Sequence, residues 1–548
     1  MSQSDFTDIA GGPISYWVTP ELRRAFVENN NVKDIGNPKQ GMATGDNNTF
    51  LRYWYEVNFA NINFFAKNSE DFWNSGKKYA RYNKGGSYRK WYGNTDLVIK
   101  FSPDDYKILK SQGNHCPSEN YYFRESLTWS VIATKSFGAR YSPPGAIFDV
   151  QGSSAFPTIK DKNLLLGLLS SNVVNYFMAI LNPSVTFQVG DISKIPLPSV
   201  IPDVASNVEE LISAALCDWS EQETSYEFEN FEYLGFSKME SNLSKCWNAY
   251  YETLESRFAK VKALEEDNNN KFIVAYKLQT EISPEAPESQ ITLTRADREK
   301  DSQRLISYAI GCIMGRYSLD EPGLIYAHSG NVGFEPGRYA TFPADADGIV
   351  PITDELWFVD DAPSRTREFL RAVWGPDTLE ENMAWLAESL GTKASETPDE
   401  TIRRYIADKF FKDHLQTYKK RPIYWLFSSG KQGAFQALVY LHRYTEGTLA
   451  RLRAEYVVPL TGKIQSRIEM LQKDAAAASS TAARNKLAKE VEKLKKKHAE
   501  LLAYDEQLRH YADMRITLDL DDGVKVNYGK FGDLLDSVKV VTGGAGDE

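Results

Sequence analysis

At 548 residues the chain exceeds one ordinary domain and has room for about three. Its 42% hydrophobic and 25% charged residues are those of a soluble globular protein and exclude a disordered or fibrous one. A net charge of −10 would disfavour nucleic acid if it were uniform. Instead residues 1–200 carry 21 Lys+Arg against 17 Asp+Glu, residues 201–400 carry 17 against 38, and residues 401–548 carry 26 against 19. An acidic middle between two mildly basic ends fits a DNA contact at the ends only, or an uneven surface charge with no partner. Cys116, Cys217, Cys246 and Cys312 form no CxxC pair and the six His no HExxH, so neither a zinc site nor a disulfide framework is indicated. The thiols read as those of a reducing cytoplasm. The first residues are polar and lack the apolar core of a signal peptide. The most apolar stretch, 163–181, is broken by Ser170, Ser171, Asn172 and Asn175, and reads as a buried helix rather than a membrane span.

In chain order, residues 13–18 could form a short strand, and a helix is predicted from Thr19, with Thr19 as cap and Pro20 at its first position. Phe50–Phe59, Leu97–Phe101, Leu127–Ala133 and Ala146–Val150 are rich in β-formers and bounded by Gly, Asn and Pro, which predicts strands. Between them, residues 77–92 mix Lys and Arg with Tyr and Trp around Gly85-Gly86. A helix is predicted over 164–181, with an extended exit at Ile195-Pro-Leu-Pro198. Residues 205–300 read as acidic and mostly helical, most clearly over 252–267, with a Pro-bearing linker at 283–290. An α-rich pattern resumes over 301–448, with helices predicted at 304–317, 401–418 and 433–443 and a turn at 345–348. Finally Leu487, Val491, Leu494, His498, Leu501 and Leu508 follow four-three spacing, as do Ile464, Ile468 and Leu471. This predicts two long helices in an antiparallel hairpin, with Lys493, Lys495, Lys496 and Lys497 beside the seam.

The most informative segment is Gly41-Met-Ala-Thr-Gly-Asp-Asn-Asn-Thr-Phe-Leu-Arg-Tyr-Trp54. Gly41 and Gly45 permit unusual backbone angles and close approach of a ligand. Thr44, Asp46, Asn47 and Asn48 carry short donors and acceptors that either fix a turn or read base edges. In residues 77–92 the cations could neutralise phosphates and the rings stack on an extruded base, or the segment could be a solvated hairpin. Arg140, beside the Pro143-Pro144-Gly145 turn, could reach a guanine edge or a phosphate, or form a surface ion pair.

Gly41–Trp54 resembles the stretch that follows the catalytic domain in large adenine-specific DNA methyltransferases, including those of BREX phage-defence systems and fused restriction–modification enzymes of type IIG. Residues 171–177 followed by 186–198 are similar to the end of a target-recognition domain in adenine methyltransferases and restriction specificity subunits. Residues 304–320, 347–352, 421–425 and 519–528 resemble further signatures of the same enzymes, in the same order. The resemblance runs from about residue 6 to residue 541. It implies an α+β chain: a strand-rich target-recognition domain followed by α-helical domains and a long C-terminal helical hairpin. The boundaries expected are a lead-in at 1–45, the recognition domain at 46–204, an acidic helical region at 205–300, an α-rich domain at 301–448, and the hairpin with its tail at 449–548.

A complete enzyme of this family needs a Gly-rich loop for S-adenosyl-L-methionine and an Asn/Asp-Pro-Pro-Tyr/Phe motif that holds the amine of a flipped adenine. The only Pro-Pro is Pro143-Pro144, in Ser-Pro-Pro-Gly, and no GxGxxG occurs. The expectation is therefore a split-gene product, truncation or fragment that recognises double-stranded DNA, holds no cofactor itself and is inactive alone. Its DNA-facing residues would be Thr44, Asp46, Asn47, Arg52, Lys84, Arg89, Lys90, Trp129, Lys135 and Arg140. Its partners would be DNA, a separate catalytic half and other BREX components in the cytoplasm, with no membrane. The alternatives are a protein–protein adaptor of the defence complex with residual DNA binding, and a self-contained enzyme with an unrecognised site.

Overall fold

The computed structural model describes residues 19–112, 116–132, 136–182, 184 and 186–543. The strand expected at 13–18 lies outside these residues. The chain forms two compact units. The first comprises residues up to Trp54, Asn61–Phe228 and Tyr251–Ala296; the second comprises Tyr55–Ala60, Glu229–Tyr250 and residues from Asp297 onward.

The first unit carries two small sheets. Strands β1 (Leu51–Tyr53), β2 (Ile62–Asn63), β3 (Tyr79–Asn83), β4 (Leu97–Lys100), β5 (Ser126–Trp129), β6 (Ala139–Ser142), β7 (Ala146–Phe148) and β8 (Ser154–Ala155) follow in chain order. In the larger sheet β4 lies antiparallel between β1 and β3, while β2 and β7 share the other edge of β3 in parallel register. In the smaller sheet β5 lies between β6 and β8. One core gathers Phe50, Phe72, Phe101, Phe123, Ile147 and Phe148 beside the larger sheet. A second joins Leu127, Trp129 and Ala139 of the smaller sheet to Leu165, Leu169, Phe177, Leu211 and Phe272 of the helices. The apolar run expected as one helix is two, Lys162–Leu169 and Asn172–Leu181, bent by 66° at Ser170-Ser171. No single described helix is long and apolar enough to cross a membrane.

Of the strand expected over Phe50–Phe59 only Leu51–Tyr53 forms. The indole of Trp54 then donates to the Thr224 carbonyl (2.7 Å), and Tyr55–Ala60 joins the second unit, where the Tyr55 hydroxyl donates to the Tyr418 carbonyl (3.1 Å).

In the second unit β9 (Ile349–Pro351), β10 (Tyr424–Ser428) and β11 (Gln436–Tyr440) form an antiparallel sheet in the order β10-β11-β9. The helix expected over 433–443 is replaced by β11, paired from Tyr424 opposite Tyr440 to Ser428 opposite Gln436. Both strands are buried on both faces, so their sequence is continuously apolar and lacks the alternation that marks a half-exposed strand. Helix starts follow local chemistry: Thr19, Asp361 and Thr397 each cap a helix with Pro in its first turn. The C-terminal hairpin forms as expected, from Val458–Ala477 and Thr481–Asp513. Leu460, Ile464, Ile468 and Leu471 are buried in one helix and Val491, Leu494, Leu501, Tyr504 and Leu508 in the other. The architecture is α+β, with short open sheets and a long helical C-terminal region.

Candidate nucleic-acid interface

Four of the residues singled out in the sequence come together in the first unit. Gly41 lets the chain run against β7: a Cβ there would meet the Phe148 carbonyl oxygen at 2.0 Å, while the Met42 amide donates to that oxygen at 3.0 Å. This close approach serves backbone packing. Gly45 then turns with φ +71°. Asp46 caps the short helix Asn47–Phe50, accepting from the Thr49 amide (3.1 Å) and hydroxyl (2.6 Å). Those donors hold its carboxyl below the usual carboxylate range. Buried Thr44 donates from Oγ1 to Asn47 Oδ1 (2.7 Å), and Lys84 Nζ donates to the same oxygen (2.9 Å) and to Asp149 Oδ2 (3.2 Å). Asp149 is fixed in turn by the Tyr82 hydroxyl (2.5 Å) and the Gln151 amide (2.7 Å). Burial and the adjoining Asp149 carboxylate push the Tyr82 hydroxyl well above its ordinary value, so it stays a donor. Arg52 is buried and donates to the Leu51 carbonyl (2.7 Å) and the Asn48 carbonyl, bracing the loop from beneath.

The result is an exposed edge made of Gly45–Thr49 and Gly86–Ser87, joined through Lys84 and Asn47. Asn47 is exposed and its Oδ1 is engaged, and Lys84 remains half-buried with spare donor capacity. Asp149 and Tyr82, which anchor this edge, were not among the DNA-facing residues expected from the sequence: Tyr82 read only as one ring of the basic, aromatic stretch, and Asp149 follows an apolar strand.

The rest of the basic, aromatic stretch turns inward. Lys90 is 5% exposed and paired with Glu265, itself 2% exposed; the Trp91 indole donates to the same carboxylate (2.7 Å). Arg89 pairs with Asp218, donates from Nε to the Tyr92 carbonyl (2.9 Å) and lies over the Trp219 ring, 4.8 Å from its centroid. Tyr92 donates to Glu227. The acidic helical region thus supplies the carboxylates that neutralise these cations. Trp129 is wholly buried, its indole donating to the Phe187 carbonyl (2.9 Å), with no face left for a base. Lys135 lies outside the described residues.

Arg140 stands on β6 opposite Thr128, on the face that also carries Ser126 and Ser142. This is a polar face: Asn83 Nδ2 donates to Ser142 Oγ (2.8 Å) and Thr128 Oγ1 to the Gly152 carbonyl (3.0 Å). Arg140 is 2% exposed, its Nε is buried without an acceptor, and it forms no ion pair with a described residue. Burial, then the nearby Arg89 cation, push its guanidinium down to about 10.

The β2-to-β3 crossover does not fit a methionine-adenosyl cofactor. In the crossover from β2 through the helix Ser69–Asn74 to the parallel strand β3, Phe64-Phe-Ala-Lys-Asn68 precedes the helix, where such a cofactor requires a glycine-lined turn.

No known family model matches the chain. It is nonetheless a relative of adenine-specific methyltransferases. Over 574 residues, 99% of the chain, it is 40% identical to adenine-specific methyltransferase BrxX of Escherichia coli O9:H4 (strain HS). Over 544 residues, 96% of the chain, it is 38% identical to adenine-specific methyltransferase PglX of Lacticaseibacillus casei (strain Zhang). The chain spans 46% and 45% of the length of these curated relatives.

Proposed function

We propose that this chain is the DNA-recognition part of a site-specific adenine methyltransferase of a BREX system, and that the edge formed by Gly45–Thr49 and Lys84–Ser87 reads the duplex. The observation that carries the reading is the preorganised trio of Thr44, Asn47 and Lys84. A side-chain amide fixed through its oxygen is left with a free N–H pair for a base acceptor, beside a cation for a phosphate. Asp46 shapes the loop and Arg52 supports it. Arg89, Lys90 and Trp129 act as positioning residues beneath this surface. Methyl transfer and S-adenosyl-L-methionine belong, in this reading, to the portion of the relatives that the chain does not span.

Gel-shift titrations at low salt test it. The chain should bind duplex without cofactor, and Asn47→Ala should weaken its preference among sequences more than its affinity for random duplex. Absence of duplex binding sinks the reading. Transfer of labelled methyl groups to DNA by this chain alone sinks the division of labour.

A further inference from the structure

The C-terminal hairpin reaches beyond what its fold needs. The helix Thr481–Asp513 is anchored from Lys497 onward. Lys497 Nζ binds Asp354 (2.6 Å), Glu500 accepts from Ser429 Oγ (2.8 Å) and the Gln432 amide (2.7 Å), and the Tyr504 hydroxyl donates to the Leu534 carbonyl (3.3 Å). On the other side of Lys497 the helix continues back to Thr481, an arm of about 24 Å at 1.5 Å per residue. Between Gln472 and Lys489 no residue is buried. The arm is also basic: residues 467–497 hold nine Lys/Arg against four Asp/Glu.

Its cations are ordered. Lys486, Lys489, Lys493 and Lys496 step by three, four and three residues, which keeps them in one stripe on the side of the helix turned away from the buried seam. All four are exposed. Lys486, Lys489 and Lys496 form no ion pair with a described residue, and Lys493 reaches Asp354 and Glu355 only at 3.6 and 3.5 Å. Like charges at this spacing repel by roughly 0.2–0.5 kcal/mol per pair, and the interleaved Glu490 and Glu492 are engaged by Arg467 and Lys495. It runs about 15 Å along a straight rod, the reach of several phosphates on one DNA strand. Between its lysines the same face holds no aromatic or large apolar side chain, so it lacks the anchor that a protein partner would bury.

We infer that the arm lays Lys486, Lys489, Lys493 and Lys496 on the phosphate backbone of duplex DNA, a sequence-independent grip separate from the reading edge. The inference rests on the DNA-recognition reading above and adds a second contact to it. The test is the salt dependence of affinity for a duplex of fixed sequence, with the full chain and with its Lys486→Ala, Lys489→Ala, Lys496→Ala triple variant. Three lost phosphate contacts should lower the slope of log K against log salt by about 2.7. The preference between duplex sequences should not change. A Lys-to-Arg triple variant keeps the charges and should keep the slope, and far-ultraviolet circular dichroism should show unchanged helix in both. A wild type that binds DNA with the same slope as the Ala variant overturns the arm contact alone, and is the outcome expected if the stripe serves an acidic protein. A wild type that binds no duplex overturns both readings.

Discussion

Replacing Lys90 with Met separates two roles that the sequence left open for this residue. In the structure Lys90 is paired with Glu265, both nearly inaccessible, and the Trp91 indole shares the carboxylate. Removing the cation leaves a buried carboxylate with one neutral donor. Breaking a buried pair in this way costs about 3–5 kcal/mol. With a urea dependence of about 3 kcal/mol per molar for a unit of this size, the midpoint should fall by about 1–1.7 M. Tryptophan fluorescence follows the transition, since Trp91, Trp129 and Trp219 all lie in the affected unit. Adding Glu265→Gln should restore most of the loss, because the amide oxygen still accepts from Trp91 and no charge is stranded. If Lys90 contacted DNA instead, the single variant would keep its midpoint within about 0.3 M and lose about one unit of salt slope. That pattern would refute the inward placement of residues 89–92.

Arg140→Met should leave stability unchanged or raise it by about 1–2 kcal/mol in urea melts, because an uncompensated buried cation is removed; a loss above about 2 kcal/mol would show that its guanidinium has an acceptor. Lys84→Ala should lower the salt slope of duplex binding by about one unit while costing about 1 kcal/mol or less in stability; an unchanged slope removes Lys84 from the interface. His414 and His442 are buried and held neutral, each pushed down to about 3 by burial and then by Arg316. Their folded values lie below the unfolded one, so their contribution is full above about pH 6.5 and is lost as pH falls toward 3, at about 1.4 kcal/mol per pH unit each. His414→Gln should therefore flatten the pH dependence of stability between pH 6 and 4 by about one proton; equal slopes for wild type and variant would show that His414 is protonated in the fold.

The hairpin, the Thr19 cap and the turn at Asp46 were legible because each is set by spacing of three or four residues within one helix or turn. β3, β10 and β11 were not read as strands, because burial on both faces erases alternation and leaves Arg81 and Asn83 inside, where polarity suggests surface. Of the candidate site, local chemistry found Thr44, Asp46, Asn47 and Lys84. It could not tell that Arg89 and Lys90 meet Asp218 and Glu265, which lie far along the chain. Basic and aromatic residues interleaved in sequence have the same composition whether they face phosphate or a buried carboxylate; only tertiary pairing distinguishes the two.

In the reading proposed above, this chain chooses DNA by sequence through the edge around Asn47 and Lys84. The direct measurement is selection of bound duplexes from a random pool by the full chain, followed by sequencing. One short asymmetric motif containing an adenine should be enriched, and Asn47→Ala should relax it at one or two positions. A bound pool that stays random, or a motif unaltered by Asn47→Ala, would contradict it.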